Sequence, residues 1–216
     1  PLQKRDKCRL VVIERETQKI THTTFDALPQ WLNSGDCLVL NNTKVIPARL
    51  KGTKETGGTI EVLLLNQLED AWDWKVFCKP AKKIKLGQTL FFGDHLKASV
   101  IAAKEEGVRY LRFTSDQKTF LEAIDLYGQM PLPPYIQRKE QELSDKDDYQ
   151  TVFAKEPGAA AAPTAGLHFT PELLDSLGKQ GVEKAFVTLH VGAGTFRPVQ
   201  AEDITDHIMH EESYFL

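Results

Sequence analysis

Short apolar segments follow one another at close, regular intervals through the middle of this chain. They are rich in β-branched and aromatic residues, and a Gly57-Gly58 hairpin signal precedes the first of them. Helical periodicity is scarce until Lys118. Strands of this length and spacing are typical of a small all-β barrel or sandwich. The segments are residues 59–65, 72–78, 89–92, 96–102 and 108–113.

The segments on either side of this series have a different character. Residues 9–13 and 37–40 are apolar except for Arg9, as expected of buried strands, and residues 24–31 indicate a short helix or turn. Helical and strand signals alternate again towards the C-terminal end. We therefore expect an α/β fold: a mixed α/β, barrel-like domain of residues 1–50 and 151–216, with an all-β barrel domain of residues 51–150 inserted into it.

Two helices can be located from their end signals. Thr170-Pro171-Glu172 combines a hydroxyl N-cap, a proline at the first helical position and an acid in the first turn, and Gly181 ends the helix. Earlier in the chain, Asp116 is the expected N-cap of a helix that Gly128 closes. The apolar face of that helix would consist of Phe120, Leu121, Ile124 and Leu126.

A turn rich in small residues precedes the second helix. Four alanines at 159–162 come before Pro163, and we expect them to leave the backbone amides of the turn uncovered. Gly166 follows, and it permits a dihedral angle that a residue with a Cβ would resist. Such a turn suits close contact with a ligand.

A second turn of this kind follows a strand. Residues 185–191 alternate with period two and place His190 on the face opposite to the apolar residues. The strand opens into Gly192-Ala193-Gly194, and strand ends of this kind are the usual place for chemistry in α/β folds. The loop is not a dinucleotide fingerprint, because the third glycine is missing and Pro198 blocks the following helix. A tight turn with a hydrogen-bonded core histidine stays open as the alternative.

The charge of the whole chain gives no general attraction to nucleic acid. The 27 Lys and Arg residues are outnumbered by 30 Asp and Glu residues, for a net charge of −3. The stretch 79–85 is a local exception, because it carries four lysines and no acid. It is either an ordinary solvated loop or a patch that contacts the phosphates of an RNA. The lysines are Lys79, Lys82, Lys83 and Lys85.

Cysteine usage and hydropathy bear on the compartment. Cys8, Cys37 and Cys78 are widely spaced and form no C-x-x-C pattern, which indicates reduced thiols and excludes a cysteine zinc site. No apolar stretch approaches the length needed to span a bilayer. We expect a soluble, cytoplasmic protein.

Two further polar clusters allow more than one interpretation. Asn41-Asn42-Thr43-Lys44 follows a buried strand, and its side chains either cap local backbone or contact a substrate. His207, His210 and Glu211 would share a helical face, but their order does not match a zinc motif, and we expect no metal. A strand that projects His210, Glu212 and Tyr214 on one face, into a wet groove or solvent, fits the alternation better.

Six longer runs resemble, in the same order, the successive signatures of one family. It is the S-adenosylmethionine:tRNA ribosyltransferase-isomerase family of queuosine biosynthesis, and the resemblance spans essentially the whole chain. The runs are residues 41–50, 130–136, 149–154, 161–170, 188–199 and 207–214.

The resemblance implies a reaction and its substrates. Members of the family transfer and rearrange the ribosyl part of S-adenosylmethionine onto the aminomethyl group of a 7-deazaguanine at the tRNA wobble position. Adenine and methionine leave. S-adenosylmethionine is thus a co-substrate, no prosthetic group is implied, and the partner is a tRNA. We expect a monomer.

Roles for residues follow from that chemistry. Removing a proton beside the sulfonium needs a base of near-neutral pKa, for which His190 and His168 are the candidates. Adenine departure needs a proton or hydrogen bond, for which Tyr214, Glu212 or the second histidine is suited. We expect the turns to bind the co-substrate through Thr164, Gly166, Gly192, Gly194 and Arg197, and the tRNA to contact Lys79, Lys82, Lys83 and Lys85.

Two other functions stay open at this point. One is a non-catalytic RNA-binding module, in which the glycine turns are structural. The other is an enzyme acting on free sugars or nucleotides. Proteins of the family begin upstream of Pro1 and continue beyond Leu216, so the resemblance also implies that the chain is a fragment.

Overall fold

The computed structural model describes residues 4–104, 107–132, 145–192, 201–207, 209 and 212–215. Within them the strands are β1 Arg9–Glu14, β2 Lys19–Thr24, β3 Cys37–Asn41, β4 Thr43–Val45, β5 Arg49–Lys54, β6 Thr59–Gln67, β7 Asp73–Lys79, β8 Thr89–Phe91, β9 Leu96–Ala103, β10 Val108–Ser115, β11 Gly128–Gln129, β12 Glu156–Ala159, β13 Glu183–His190 and β14 Ser213–Phe215. The α-helices are α1 Phe120–Tyr127, α2 Asp145–Asp148 and α3 Pro171–Lys179, and 3-10 helices span Arg5–Lys7, Phe25–Trp31, Ala81–Lys83, Thr164–His168 and Ile204–Asp206.

The central strands form a closed antiparallel barrel. Its order is β5–β6–β7–β10–β9–β8, and β8 pairs back onto β5. At this seam a Cβ on Gly52 would lie 2.3 Å from the carbonyl oxygen of Phe91, so a glycine is required for the two strands to meet. The inward side chains make the largest core cluster of the chain, which includes Val62 and Phe113. The predicted all-β barrel is confirmed.

Helix α1 covers part of this barrel. Thr119, and not the predicted Asp116, is its N-cap: the Thr119 hydroxyl accepts from the amide of Glu122 at 3.2 Å, and the Glu122 carboxylate accepts from the Thr119 amide at 3.0 Å. Asp116 instead pairs with His95 at 2.8 Å. Gly128 ends the helix as predicted. The buried face consists of Phe120, Ala123 and Ile124, whereas Leu121 and Leu126, predicted for that face, are exposed.

The remaining elements form small sheets and a helix. β3 and β13 are parallel neighbours, β14 is antiparallel to β13, and β12 pairs in parallel with β4. Helix α3 begins and ends as predicted, with the Thr170 hydroxyl accepting from the Leu173 amide at 3.2 Å. Strands β1 and β3 exist but are not the buried strands expected, because Val11, Ile13 and Val39 are 50%, 63% and 61% exposed.

The course of the barrel strands fixes where its loops lie. β4 leads into β5 through residues 46–48, and the amide of Ile46 donates to the carbonyl of Ala159 on β12 at 3.0 Å. β5 and β7 are both antiparallel to β6 and therefore run in the same direction. The lysine-rich loop after β7 thus lies towards the barrel end that is remote from β4.

Candidate functional site

The ends of β3 and β13 are fastened together by the side chain of Asn41. Its Oδ1 accepts from the amides of Leu189 and Thr43 at 3.0 and 3.1 Å, and its Nδ2 donates to the carbonyl of Leu189 at 2.9 Å. The backbone pairing of β3 with β13 ends at Asn41. Beyond that point the side chain of Asn41 provides the hydrogen bonds that strand pairing would otherwise supply. Of the two interpretations left open for this polar cluster, capping of backbone therefore applies to Asn41.

Asn42 makes a second set of cross-links. Its amide donates to the carbonyl of Val187 at 2.9 Å, its Oδ1 accepts from the hydroxyl of Thr188 at 2.6 Å, and its carbonyl accepts from the amide of Lys155 at 2.8 Å. The asparagine pair thus ties together β13 and the chain entering β12. This brings β4 and β12 beside the end of β13, where His190 lies.

His190 is held by groups from three other strands. Its Nδ1 is 2.8 Å from the hydroxyl oxygen of Thr43, a residue with 0% exposure. The face of its ring packs on Gly158, where an added Cβ would lie 2.8 Å from both Cε1 and Nε2 and 3.0 Å from Cδ2. The ring of Phe215 lies 6.0 Å away, edge-on. The imidazole is therefore fixed rather than free to rotate.

Gly158 is an extra residue in the pairing of two short strands. Pro157 pairs with Lys44 and Ala159 pairs with Val45, which leaves Gly158 unmatched as a bulge. The bulge turns backbone towards His190, and the missing side chain leaves the space that the ring occupies. Sequence reasoning missed Gly158, although an isolated glycine between a proline and a run of alanines is a signal for close backbone approach.

The half-buried position of His190 affects its protonation. Burial lowers the pKa of its imidazole below the ordinary value of 6.5, and the nearby carboxylate of Glu156 acts in the opposite direction. The neutral ring is thus favoured at neutral pH. A neutral imidazole has one donor nitrogen and one acceptor nitrogen.

Of the site residues predicted near the end of β13, the structure brings some together and separates others. The amide of Gly192 donates to the Glu212 carboxylate at 2.9 Å, which brings these two predicted site residues together beside His190. Tyr214 pairs with Leu189, so the two share the sheet face opposite to that of His190. Gly194 and Arg197 lie outside the described residues, as do His210 and Glu211.

His168 lies in a different environment. It ends the 3-10 helix Thr164–His168, its Nδ1 is 3.3 Å from the carbonyl oxygen of Arg5, and its ring is 5.4 Å from that of Phe25. Thr164, at the start of the same helix, is exposed. Within the described part of the chain, the partners of His168 and those of His190 are different residues, so each histidine belongs to its own cluster.

The alanine turn differs from the expectation in two respects. The amides of Ala160 and Ala161 are not uncovered, because both donate to the carbonyl of Val191, at 3.0 and 3.3 Å. Gly166 does not adopt a left-handed backbone. Its small size instead serves packing, since an added Cβ would lie 3.0 Å from the Thr151 methyl and 3.1 Å from the Phe153 ring.

The lysine-rich loop is shaped by a buried cation that sequence reasoning did not identify. The guanidinium of Arg109, which is 8% exposed, donates to the carbonyls of Ala81, Ile84 and Lys104 at 2.6, 2.9 and 2.9 Å. It binds only backbone oxygens, and so it fixes the path of the loop. The loop lysines Lys79, Lys82, Lys83 and Lys85 are all exposed.

Comparison with known proteins decides the family. Residues 1–216 match the family described as "Queuosine biosynthesis protein". The chain belongs to this queuosine biosynthesis family. The resemblance carried by the six sequence runs is thereby confirmed.

A solved structure similar to this chain is the crystal structure of S-adenosylmethionine tRNA ribosyltransferase from Thermotoga maritima. The identity is 35%, over 88% of this chain and 53% of that chain, with a TM-score of 0.38. This member of the queuosine biosynthesis family therefore spans about half the length of that relative.

This family member also has a cleft between α1 and the β4–β12 pair. Its volume is about 430 Å³, and three lysines line it: Lys44, Lys146 and Lys155. Lys146 forms an ion pair with Asp125 of α1 at 3.0 Å. Because Lys44 follows Thr43 on a strand, its side chain lies on the face opposite to that of Thr43.

Membrane-spanning helices and metal clusters are both absent from the described residues of this family member. No helix there combines the length and apolar character required to cross a bilayer. The same part of the chain contains no group of three or more His, Cys, Asp and Glu side chains that is placed to hold a metal ion.

Proposed function

We propose that this chain is part of an S-adenosylmethionine:tRNA ribosyltransferase-isomerase. The enzyme would transfer and isomerise the ribosyl moiety of S-adenosylmethionine onto 7-aminomethyl-7-deazaguanine at the tRNA wobble position, giving epoxyqueuosine, adenine and methionine. The observation that carries the proposal is the match of residues 1–216 to the queuosine biosynthesis family. The co-substrate is S-adenosylmethionine, and the partner is a tRNA.

The proposed reaction needs groups that handle protons near a sulfonium nucleoside. A base removes a proton from the carbon beside the sulfur, whose positive charge stabilises the carbanion, and the C–N bond to adenine breaks with its electron pair staying on adenine. His190 and His168 are the proposed histidines for these steps. Support comes from the fixed, half-buried imidazole of His190 at a strand end.

The other site assignments belong to the same proposal. Gly192 and Glu212 are favoured by their bond beside His190. Tyr214 pairs with Leu189, which supports a position of Tyr214 outside the immediate surroundings of His190. Thr164, Gly166, Gly194 and Arg197 stay predictions for co-substrate binding.

We propose the loop lysines as the residues that bind tRNA phosphates. Arg109 supports this by holding the loop in one shape, so that little ordering is required on binding. Replacing Lys82 and Lys83 with alanine should weaken tRNA binding and reduce the slope of log K against log salt by about 0.9 for each phosphate that is no longer neutralised. Lys19 and Lys179, exposed lysines elsewhere, form the control pair, whose replacement should leave that slope unchanged.

The organisation of the chain is proposed on the same basis. Residues 51–150, which carry all of the barrel except the first two residues of β5, would be the domain inserted between residues 1–50 and 151–216. A cytoplasmic location and a monomeric state complete the proposal. The location is supported by the three cysteines, which form no disulfide and so suit a reducing compartment.

The test is release of adenine from S-adenosylmethionine by the protein at its full natural length. We expect adenine only when tRNA carrying the aminomethyl base is present. Salt-sensitive tRNA binding without adenine release would favour a non-catalytic RNA-binding module. Adenine release without any tRNA would favour an enzyme that acts on free small molecules. Either result would contradict the proposed function.

A further inference from the structure

The hydroxyl of Thr43 has little choice of hydrogen-bond partner. Thr43 is 0% exposed, and among the described residues His190 Nδ1 is the partner found for its Oγ1. A threonine hydroxyl carries one proton and two lone pairs. If it accepted a hydrogen bond from Nδ1–H, its own proton would be buried without an acceptor, which is costly. The hydroxyl therefore donates to His190 Nδ1.

This direction fixes the tautomer of His190. A nitrogen that accepts from a hydroxyl carries no proton, so the proton of the neutral ring is on Nε2. Burial of the ring keeps the pKa below its ordinary value and favours this neutral form. The ring thus presents an N–H donor at Nε2 and no free basic nitrogen.

Among the described residues, none forms a hydrogen bond with Nε2. Gly158 packs on the face of the ring and not on this edge, because an added Cβ would lie 2.8 Å from both Nε2 and Cε1 and 3.0 Å from Cδ2. The N–H bond lies in the plane of the ring, so Gly158 does not cover it. An acceptor atom of a ligand in that plane beyond Nε2 would therefore meet an N–H held in place by the Thr43 hydrogen bond.

His168 has the opposite arrangement. Its Nδ1 bonds with the carbonyl oxygen of Arg5 at 3.3 Å, and a carbonyl oxygen only accepts. In neutral His168 the proton is therefore on Nδ1, and Nε2 keeps its lone pair. This is the tautomer that a general base requires.

We propose that His190 donates a hydrogen bond from Nε2–H to an uncharged nitrogen or oxygen of a bound nucleoside, with Thr43 as the positioning residue that sets its tautomer. The identity of the nucleoside rests on the proposed function. There, the donor would stabilise the electron pair that builds up on adenine as the C–N bond breaks, and the adenine anion would then take its proton from water. The base is then His168 and not His190.

The tautomer can be measured on the whole protein without substrate. In protein carrying ¹⁵N-histidine, long-range ¹H–¹⁵N correlation spectra at neutral pH distinguish protonated from unprotonated ring nitrogens, and a His190→Gln variant assigns the signals. We expect Nδ1 of His190 to be unprotonated and Nε2 to be protonated. Thr43→Ser should keep this pattern, whereas Thr43→Val should shift His190 towards a mixture of the two tautomers.

The matched control removes a different hydroxyl from the same neighbourhood. Thr188 lies two residues before His190 on β13, and its hydroxyl bonds with Asn42. Thr188→Val should leave the His190 signals unchanged. If Thr43→Val does not fold, judged by circular dichroism, the wild-type and Thr43→Ser spectra still decide the question.

The inference and the proposed function fail in different ways. A proton on Nδ1 in the wild type, or an unchanged tautomer in folded Thr43→Val, would overturn the inference even if adenine is released. The expected tautomer in a protein that releases no adenine would sustain the assignment of the donor and overturn the proposed reaction.

Discussion

The two histidines chosen from the sequence lie in environments with opposite hydrogen-bonding character. His190 ends a strand and bonds with a hydroxyl that must donate, whereas His168 ends a 3-10 helix and bonds with a carbonyl that only accepts. In the sequence both lie beside a glycine turn and look interchangeable. The difference teaches that the partner of the inner ring nitrogen, and not the histidine itself, decides what the outer nitrogen offers.

The largest expected effects come from removing each histidine in the full-length protein. His168→Ala should lower adenine release by about 10²–10⁴-fold, the usual contribution of a general base. His190→Ala should lower it by about 10²–10³-fold, and His190→Gln should recover part of the activity because its amide N–H donates. His22→Ala, which changes an exposed histidine, is the control. If His168→Ala left turnover unchanged, His168 would not be the base, and the contrast drawn between the two histidines would be wrong.

Alanine substitutions at two glycines should have effects of intermediate size, and the effect should be larger beside His190 than in the 3-10 helix that ends at His168. In Gly158→Ala the new Cβ meets the His190 ring at 2.8 Å, so the ring must leave Thr43. This contact, together with the φ of +155° at Gly158, which residues with a Cβ rarely adopt, should decrease the free energy of unfolding by about 1–3 kcal/mol and reduce turnover. Gly166→Ala requires its neighbours to yield by only a few tenths of an ångström, and should cost less.

Gly178→Ala is the control for both substitutions, because nothing lies within 4 Å of the position where its Cβ would be. In helix α3 it should stabilise the protein by about 0.5–1 kcal/mol. Thermal or urea unfolding measures all three variants. Equal effects at positions 158 and 166 would contradict the tight packing assigned to His190.

The smallest expected effect is a pH dependence of stability that belongs to His190. Because burial places its folded-state pKa below 6.5, the unfolded chain binds more protons between the two values. The free energy of unfolding should therefore fall as pH is lowered through about 6.5, and the change should level off below the folded-state pKa. Urea unfolding between pH 5 and 8, at roughly half-unit steps, checks this against His190→Gln, which should lack that component.

One carboxylate opposes the effect of burial on this titration. The charge of Glu156 acts to raise the pKa of His190, although burial lowers it overall. Glu156→Gln should lower the His190 pKa further, as measured by NMR titration. A higher pKa in that variant would contradict the electrostatic assignment.

Local signals predicted most of the secondary structure. The cap at Thr170, the closely spaced strands and the strand that ends at His190 were each predicted from a few neighbouring residues, and all three are present in the structure. Burial along that last strand does not alternate between its two faces as predicted, because residues 183–186 are all exposed. The predicted cap of α1, Asp116, was wrong, because the capping box formed by Thr119 and Glu122 begins the helix three positions later. The sequence carries the signal for this box, and sequence reasoning missed it.

Interactions between distant parts of the chain were not predictable in the same way. Thr43 and His190 are separated by 147 positions, and the whole barrel lies between them. Nothing in the polar run 41–44 indicates that Asn41 and Asn42 fasten β13 while Thr43 faces a histidine. The pairing of β4 with β12 creates the site, and that pairing is visible only in three dimensions.

The most direct test of the account is a structure of the full-length protein with an S-adenosylmethionine analogue whose sulfonium is replaced by an unreactive group. We predict that Nε2 of His190 lies about 2.6–3.2 Å from an acceptor oxygen or nitrogen of the nucleoside, with Nδ1 still bonded to Thr43. An analogue bound with no atom in hydrogen-bond reach of His190 would contradict the account.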